Sequence, residues 1–301
     1  MHYIFIIGRS DMNSDTSTVE RQIEEIRLAL TEHGDVSECY WIKGIGDGTR
    51  KVRIYSDLHP NEKVCFVACG GDRTIGEVAS GLVGFQNKSM AIIKLGDTGN
   101  DFIKCFPDKD FQSADALLKG QVKEVDIIKI NDSYALNVCD FGFDSVAGSV
   151  ANEMLESGRA NAYERGIFSA FLTARFNKIK VIADGEKLGH LRMLLCAICN
   201  GQYLGGGFHS APRAVMDDGL MDVCFIKPLT LVGFLRLLPI YRRGEHLEHP
   251  HFKKRILYRQ VKHVDVISDE MIELCIDGEM LPGTKFSIDI LPKAIKLILP
   301  E

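Results

Sequence analysis

A turn rich in glycine and aspartate is the first segment whose residue types could perform chemistry. CGGDRT, residues 69–74, follows the apolar run KVCFVA and precedes a segment with helical spacing. A strand, a glycine turn and a helix start in this order can bind phosphate, because backbone N–H groups and the positive helix end point at the turn. Asp72 could act with Mg²⁺, directly or through water. The alternative is that Asp72 only caps the following helix.

Carboxylates also occur at two later turns. Glu279 follows Asp-Gly between two alternating runs, a standard hairpin signal, and a carboxylate at a hairpin tip could accept the proton of an attacking hydroxyl. VMDDGLMD carries Asp217, Asp218 and Asp222, which are hard oxygen ligands suited to Mg²⁺. The alternatives are an ordinary hairpin and an acidic surface turn.

The segment TGNDFIKCF places polar residues before a predicted short helix. Thr98 and Asn100 precede this helix, whose N-terminus could hold a nucleotide, and Lys104 adds a cation. These residues could equally cap the helix or remain solvated at the surface.

Two further clusters are predicted to carry no chemistry. CAIC, residues 196–199, has the spacing of a redox motif, but it lies in a strand-like apolar run that predicts buried thiols. His246, His249 and His251 could bind a metal, but their segment is typical of a solvated loop.

The elements that must position these residues change in type along the chain. YIFII, KVCFVA and MAIIKL are predicted strands, and they alternate with predicted helices in VERQIEEIRLALTEHG and TIGEVASGLVGF. Such alternation indicates a parallel sheet covered by helices. Later in the chain, short strands separated by turn residues indicate an antiparallel sheet, interrupted by one helix in TLVGFLRLLPIYRRG. We therefore predict two domains, residues 1–127 and 128–290.

Composition and charge restrict the class of protein. The 301 residues have a net charge of −5, which argues against a general nucleic-acid binder. Nine cysteines lie mostly in apolar runs, which indicates reduced thiols rather than a disulfide framework. The first residues lack the basic start of a signal peptide, and no apolar run is long enough to span a bilayer. These observations predict a cytoplasmic protein.

One segment has an unusual charge pattern. Residues 227–263 contain nine Lys and Arg but only two acidic residues, Glu245 and Glu248. Leucines and Phe234 lie among these charges, and a basic and apolar surface suits an anionic membrane. The alternative is an amphipathic helix packed on the sheet with a solvated outer face. The two interpretations are compatible.

Together these motifs resemble the diacylglycerol kinase catalytic-domain family, which includes bacterial lipid kinases and sphingosine kinases and is related in fold to NAD kinases. The family's first motif, Gly-Gly-Asp-Gly-Thr with a following Glu-Val, is matched except at Arg73. Its second motif, a proline and then Gly-Thr-x-Asn-Asp-Phe, is matched except at Leu95 and Asp97. NVCDFGFDSVAG, CNGQYLGGGFHSAPRAVMDDGLMDV and CIDGE resemble the later motifs, in the same order.

The resemblance implies a fold and roles for individual residues. The fold would be α/β plus all-β: a Rossmann-like α/β nucleotide domain, joined by a C-terminal tail of about residues 291–301, and an antiparallel β-sandwich domain for the lipid. Glu279 and Asp72 would be catalytic, with Glu279 activating the lipid hydroxyl. A structural Mg²⁺ would be held by the side chain of Asp218 and the carbonyl groups of Val215 and Leu220. The implied nucleotide-binding residues are Gly70, Gly71, Asp72, Arg73, Thr74, Glu77, Thr98, Asn100 and Lys104.

The implied function is an ATP- and Mg²⁺-dependent lipid kinase acting on a hydroxyl of a diacylglycerol-like or sphingoid lipid. It would associate peripherally with an anionic membrane, and a homodimer is left open. The departures from the motifs at Arg73 and Asp97 leave two interpretations open. The arginine supplies charge to the phosphates and pairs with Asp97, or it fills the triphosphate site and leaves a degenerate lipid-binding or regulatory protein. A kinase of another hydroxyl acceptor, similar to NAD kinase, is the remaining alternative.

Overall fold

The chain divides into two compact units in a computed structural model. The first unit contains Met1–Ile127 and Leu291–Glu301, and the second contains Ile128–Ile290. The residues that the structure describes are 1–8, 16–95, 100–142 and 178–301.

The first unit is built on a parallel sheet. Its first four strands are β1 (His2–Ile7), β2 (Val36–Trp41), β3 (Val64–Cys69) and β4 (Lys88–Ile93). Its described helices are α1 (Thr16–Glu32), α2 (Asp47–Leu58), α3 (Asp72–Leu82) and α4 (Ala114–Leu118), with a 3₁₀ turn at Phe102–Cys105. The strand order is β4–β3–β1–β2, and every pair in it is parallel.

Apolar spacing produces this architecture. The helix α1 buries Val19, Ile23, Ile26 and Leu30 in a core shared with β1, β3 and β4, and these four residues follow the helical period seen in the sequence. Gly34 follows the helix with φ 88°, a left-handed conformation that glycine adopts without steric cost. The predicted alternation of strands and helices is confirmed.

Two elements of the first unit have no clear signal in the sequence. The strand β2 lies at the edge of the sheet, and most of its residues are exposed or half-buried. The helix α2 carries charged and polar residues at most positions and is packed against α3. Because neither element is strongly apolar, hydrophobic periodicity does not reveal it.

The second unit is an antiparallel β-sandwich, as predicted. The first of its described strands, β5 (Gln121–Ile130), begins in the first unit. The others follow one another as β6 (Ser133–Ala135), β7 (Val138–Gly142), β8 (Lys178–Ala183), β9 (Glu186–Arg192), β10 (Leu195–Cys199), β11 (Tyr203–Leu204), β12 (Phe208–His209), β13 (Met221–Ile226), β14 (Ile256–Val261), β15 (His263–Ile276) and β16 (Glu279–Leu299). The order β14–β13–β10–β7–β15–β16 forms its main sheet, and β8 joins β15 and β9. A core of aliphatic and aromatic residues fills the space beneath these strands.

In the part of the second unit that the structure describes, one α-helix packs on the sheet. This helix, α5 (Leu231–Arg242), begins after Thr230, whose hydroxyl accepts the N–H of Gly233 at 3.2 Å. Its inner face, formed by Phe234, Leu237 and Tyr241, belongs to a second apolar core. Among the described residues, no helix combines the length and apolar character needed to cross a bilayer.

The long strand β16 begins in the second unit and ends in the first. In the first unit Leu297 pairs in parallel with Met90 of β4. The carboxylate of Asp126 accepts the N–H of Lys293 at 2.7 Å, where the backbone has φ 53°. These contacts fasten the C-terminal segment to the parallel sheet.

Candidate active site

The glycine turn lies between a buried strand and a helix. β3 ends at Cys69, and α3 begins at Asp72. A Cβ atom at residue 70 would lie 2.8 Å from the Cβ of buried Thr74, so the turn packs this closely only with glycine. The first N–H groups of a helix have no acceptor within the helix, and this end carries partial positive charge. The turn therefore has the geometry that favours phosphate binding.

Arg73 is the second residue of α3 and has a helical backbone. The backbone at this position accommodates a Cβ atom, because the first turn of a helix tolerates one. The side chain of Arg73 is half-buried. Asp97 and Thr98 lie outside the described residues, so the Arg73–Asp97 pair and the binding role of Thr98 stay predictions.

The carboxylate of Asp72 joins the two predicted nucleotide loops. One oxygen accepts the backbone N–H of Asp101 at 2.8 Å, and the other accepts that of Phe102 at 3.0 Å. The 3₁₀ turn is thereby fixed beside the N-terminus of α3. A carboxylate offers about four lone-pair positions, so these two bonds are compatible with a role of Asp72 beside Mg²⁺.

Asn100 is buried next to this 3₁₀ turn. Asn100 is 3% exposed, and neither polar atom of its side-chain amide has a hydrogen-bond partner in the described part of the chain. Burying an amide without a partner costs free energy, so a ligand that bonds with it would remove that cost. Asn100 lines a cavity of about 340 Å³. Lysines and aromatic residues share this lining, namely Lys94, Lys104, Lys109, Phe106 and Phe111.

Lys104 is held by a neighbouring carboxylate. Its amino group donates to Asp101 at 2.6 Å; the Lys104 side chain is 40% exposed, whereas that of Asp101 is buried. Lys104 therefore places a positive charge at the cavity wall. Asp101 is not among the predicted site residues, although its N–H donates to the carboxylate of Asp72 and its own carboxylate orients Lys104. Its place inside the second motif was the only sequence signal for it.

Glu77, predicted to bind nucleotide, makes its contacts with α2. Its buried carboxylate accepts the N–H of Gly46 at 3.1 Å and that of Gly48 at 2.7 Å. These groups belong to the start of α2, where Gly46 has φ 73°. Glu77 therefore caps α2 from α3, and its predicted nucleotide contact stays a prediction.

In the second unit, the late motifs meet at one edge of the sheet, namely the edge where several of its strands begin or end. Cys199 at the end of β10 pairs with Val138 at the start of β7 and with Asp222 at the start of β13. Ile276 at the end of β15 pairs with Cys139 of β7. The NVCDFG, CNGQ, DDGLMD and CIDGE motifs therefore all reach this edge.

Two asparagines hold the turns at this edge together. The amide nitrogen of Asn200 donates to the carbonyl of Leu136 at 2.8 Å, and that of Asn137 donates to the carbonyl of Tyr203 at 3.0 Å. The backbone N–H groups of Asn200 and Gly201 both donate to the carbonyl of Asn137. The edge is thus a network of turns bonded through their backbones.

Asp277 fastens the hairpin of β15 and β16 to this network. Asp277 and Gly278 form its two-residue turn, with φ 46° and 94°, as the Asp-Gly signal predicts. The Asp277 carboxylate accepts the N–H groups of Leu136 at 2.6 Å, Asn137 at 3.1 Å and Val138 at 2.9 Å. Burial raises the pKa of Asp277 to about 6, although these bonds favour the charged form. The sequence did not single out Asp277 as a site residue.

Glu279, the predicted base, is the first residue after this turn. It opens β16 opposite Ile276 and is half-buried. The structure therefore places its carboxylate at a hairpin tip on the edge where the late motifs meet. The proton-accepting role remains a prediction.

The predicted metal residues lie on the turn before β13. Asp218 is exposed, and one of its carboxylate oxygens accepts the N–H of Leu220 at 2.9 Å, which closes a local turn. Val215 lies earlier in the same segment, and its side chain is 48% exposed. Among the described residues no group of three or more His, Cys, Asp and Glu could hold a metal ion. One carboxylate with two backbone carbonyls is still a donor set that fits Mg²⁺, which keeps several of its waters.

Asp222 is buried next to this turn. One carboxylate oxygen accepts the hydroxyl of Tyr258 at 2.6 Å, whereas the other has no hydrogen-bond partner in the described part of the chain. Burial, together with the nearby charge of Asp218, raises the pKa of Asp222 to about 6. A cation at the Asp218 turn would lower the free-energy cost of burying the charged form of Asp222.

Of the two clusters predicted to carry no chemistry, the cysteine pair is buried as expected. Cys196 and Cys199 are buried in β10, and burial raises the pKa of both thiols well above the ordinary value. The prediction of a solvated histidine loop is wrong for His246, which is fully buried with its ring 4.6 Å from that of Tyr241. Burial lowers the pKa of His246 to about 4.

Comparison with known proteins assigns both units to described families. Residues 10–130 match the family model of the diacylglycerol kinase catalytic domain, and residues 137–299 match that of the YegS C-terminal NAD kinase beta sandwich-like domain. A diacylglycerol kinase of Bacillus subtilis strain 168 is 30% identical over 227 residues, which is 72% of each chain.

Solved structures share the fold across the whole chain. The crystal structure of a diacylglycerol kinase from Bacillus anthracis strain Sterne has a TM-score of 0.71 and 22% identity, and covers 99% of this chain and 96% of its own. The structure of an NAD kinase from Archaeoglobus fulgidus in complex with ATP has a TM-score of 0.53 and 12% identity, with 100% and 94% coverage.

Proposed function

Because the chain belongs to the diacylglycerol kinase family, we infer that it is an ATP- and Mg²⁺-dependent lipid kinase. The acceptor would be a hydroxyl of a diacylglycerol-like or sphingoid lipid. The observation that carries this proposal is the contact of Asp72 with the N–H groups of Asp101 and Phe102, which joins the two nucleotide loops. Phosphoryl transfer depends mainly on positioning and charge neutralisation, so loops that bind one nucleotide must be held together.

The first unit would bind the nucleotide. Backbone N–H groups of the Gly70–Thr74 turn would donate hydrogen bonds to the phosphate oxygens, and Lys104 would add a positive charge. The buried amide of Asn100 would gain the partner that the described residues do not provide. Mg²⁺ bound with ATP would neutralise the charge that develops on the transferred group.

The second unit would supply the base. An aliphatic hydroxyl is a weak nucleophile until a base accepts its proton. The hydroxyl oxygen would bond to the γ-phosphorus while the bond from that phosphorus to the β–γ bridging oxygen breaks. The hydroxyl proton would pass to the carboxylate of Glu279, and ADP would leave with the bridging oxygen.

Two alternative functions differ from this proposal, one in the state of the nucleotide loops and the other in the acceptor. A degenerate lipid-binding protein would require Arg73 to fill the phosphate site. The helical backbone at Arg73 supports activity, since the turn keeps its shape despite the substitution. A kinase of another hydroxyl acceptor is the second alternative, because NAD kinases share the fold.

We also propose that the protein is cytoplasmic and binds an anionic membrane surface peripherally. The outer face of α5 supports this proposal because it combines exposed apolar and basic residues, and α5 contains no acidic residue. Val232 is 58% exposed and Leu235 is 49% exposed. We define the α5 outer face as Val232, Leu235, Arg236, Pro239 and Arg242, which follow one another at helical spacing.

The function is tested with purified protein, radiolabelled ATP and Mg²⁺. Separate reactions would contain diacylglycerol, a sphingoid base, glycerol and NAD, with Glu279→Gln as the control enzyme. We expect label in a lipid product and a kcat at least about 100-fold lower for the variant, in line with general-base catalysis. A labelled product in the NAD reaction alone would show that the acceptor is the hydroxyl of NAD and not that of a lipid. An absence of both ATP binding and turnover would establish the degenerate protein.

A further inference from the structure

The tripeptide Asp-Gly-Glu occurs twice in the second unit, at two hairpins of the same type. Asp184 and Gly185 connect β8 and β9 with φ 47° and 81°, and Glu186 follows. Asp277 and Gly278 connect β15 and β16 with nearly the same angles. The backbone conformation of the two turns therefore does not distinguish them.

The two aspartates also make the same kind of contact. The carboxylate of Asp184 accepts the N–H groups of Lys262 at 3.1 Å and His263 at 2.9 Å. Its own N–H donates to the carbonyl of His263, just as the N–H of Asp277 donates to that of Val138. In each case the hairpin tip is bonded to the start of another strand.

The surroundings separate the two tips. Asp184 and Glu186 are exposed, whereas Asp277 is buried and Glu279 is half-buried. Asp277 contacts the Leu136–Val138 segment, to which the Asn200 and Tyr203 turns are also bonded. Only the Asp277 tip is therefore tied to the edge where the late motifs meet.

We propose that Asp277 is a positioning residue that holds Glu279 at the reacting hydroxyl by bonding the hairpin tip to the backbone of Leu136–Val138. This inference rests on the proposed function, because it assigns Asp277 to the same reaction. Without the bonds of the Asp277 carboxylate, the described contacts that join the tip to β7 are the hydrogen bond from the N–H of Asp277 to the carbonyl of Val138 and the pairing of Ile276 with Cys139. The carboxylate of Glu279 could then move by about an ångström. A displacement of that size can lower a rate by about 100-fold.

The geometric part is tested by amide hydrogen exchange in wild type, Asp277→Asn, Asp184→Asn and Glu279→Gln. An asparagine has one acceptor oxygen and presents N–H groups to backbone donors, so it cannot repeat the contact. We expect faster exchange at Leu136–Val138 in Asp277→Asn alone. Unchanged exchange there would overturn the proposal, whatever the enzymatic activity of the protein.

The functional part is tested by a double-mutant cycle in kcat, with activity divided by the folded fraction. We expect Asp277→Asn to lower kcat by roughly 10-fold or more with little change in KM for ATP. In the Glu279→Gln background the same substitution should have no further effect, because residues that act together are not additive. Asp184→Asn is the matched control and should keep wild-type kcat.

Other results would reject the inference or the function separately. An equal loss of kcat in both backgrounds, or the same loss in Asp184→Asn, would leave Asp277 a structural residue. Should Asp277→Asn not fold, Asp277→Ser keeps one acceptor oxygen, and failure of both to fold would also end the proposal. Full activity of Glu279→Gln would instead reject the proposed base, a failure of the function rather than of the contact.

Discussion

Three carboxylates in the motifs bind backbone N–H groups of another segment. Asp72 holds the 3₁₀ turn, Glu77 holds the start of α2, and Asp277 holds the start of β7. Bonds from N–H groups to a charged acceptor are stronger than those between neutral groups. The acidic residues of these motifs therefore fix the loops of the site, in addition to any contact that they make with substrate.

Arg73 provides the sharpest prediction at the residue scale. We expect Arg73→Gly to weaken ATP binding roughly 10-fold, because a cation at the start of α3 would bond to the phosphates. Isothermal titration with ATP and Mg²⁺ measures this affinity, and Arg73→Lys, which keeps the charge, is the control. A gain in affinity in the glycine variant would mean that the arginine obstructs the phosphate site.

Glu77 gives a prediction at the scale of elements, because it joins α2 to α3. Glu77→Gln removes the charge and one acceptor oxygen from the N-terminus of α2, so we expect a loss of about 1–2 kcal/mol in the free energy of unfolding. ATP affinity should stay at the wild-type value. Chemical denaturation and ATP titration measure the two quantities.

An exposed glutamate serves as the matched control for this variant. Glu25 lies on α1, and its side chain is 70% exposed near Arg21. Glu25→Gln should change stability by less than about 0.5 kcal/mol. Weaker ATP binding by Glu77→Gln at unchanged stability would support the nucleotide role that the motif predicts, and would contradict capping as its function.

The elements also show how much of the fold a sequence of this kind reveals. Buried parallel strands such as β3 and β4 are continuous apolar runs, so their type and place were predictable. The strand β2 and the helix α2 were not, since both contain few aliphatic residues and most of these are exposed or half-buried.

The candidate site was predictable in its residues but not in its contacts. The glycine turn and the Asp-Gly hairpin have local signals, and the structure contains both. The bonds from Asp72 to Asp101 and from Asp277 to Leu136 join segments far apart in sequence, which no local pattern encodes. For the same reason the sequence could not separate the two Asp-Gly-Glu turns.

At the scale of the whole molecule, charge is unevenly distributed. The net charge is −5, yet nine Lys and Arg lie in residues 227–263. Some of these charges are compensated, since Arg243 donates two hydrogen bonds to Glu245. Arg242 lies over the ring of Phe208 at 5.6 Å. The α5 outer face thus keeps a smaller set of basic residues than the sequence count suggests.

The last prediction concerns membrane binding by this face. Arg236 and Arg242 are exposed and flank the apolar residues Leu235 and Pro239, so they can reach lipid phosphates while leucine enters the interface. We expect wild type to bind vesicles more strongly as their anionic lipid fraction rises, and less strongly as salt rises. Replacing both arginines by Glu should reduce binding about 10-fold or more, since each basic residue near such a surface contributes about 1 kcal/mol.

Co-sedimentation with vesicles of phosphatidylcholine and phosphatidylglycerol at several salt concentrations measures this binding. Lys187→Glu with Lys285→Glu is the matched control, because it changes the net charge equally at exposed sites outside α5. If the control pair weakened binding as much as the α5 pair, net charge alone would explain the interaction. Equal binding of wild type to neutral and anionic vesicles would leave α5 only its packing role, since electrostatic attraction to a membrane requires anionic lipid.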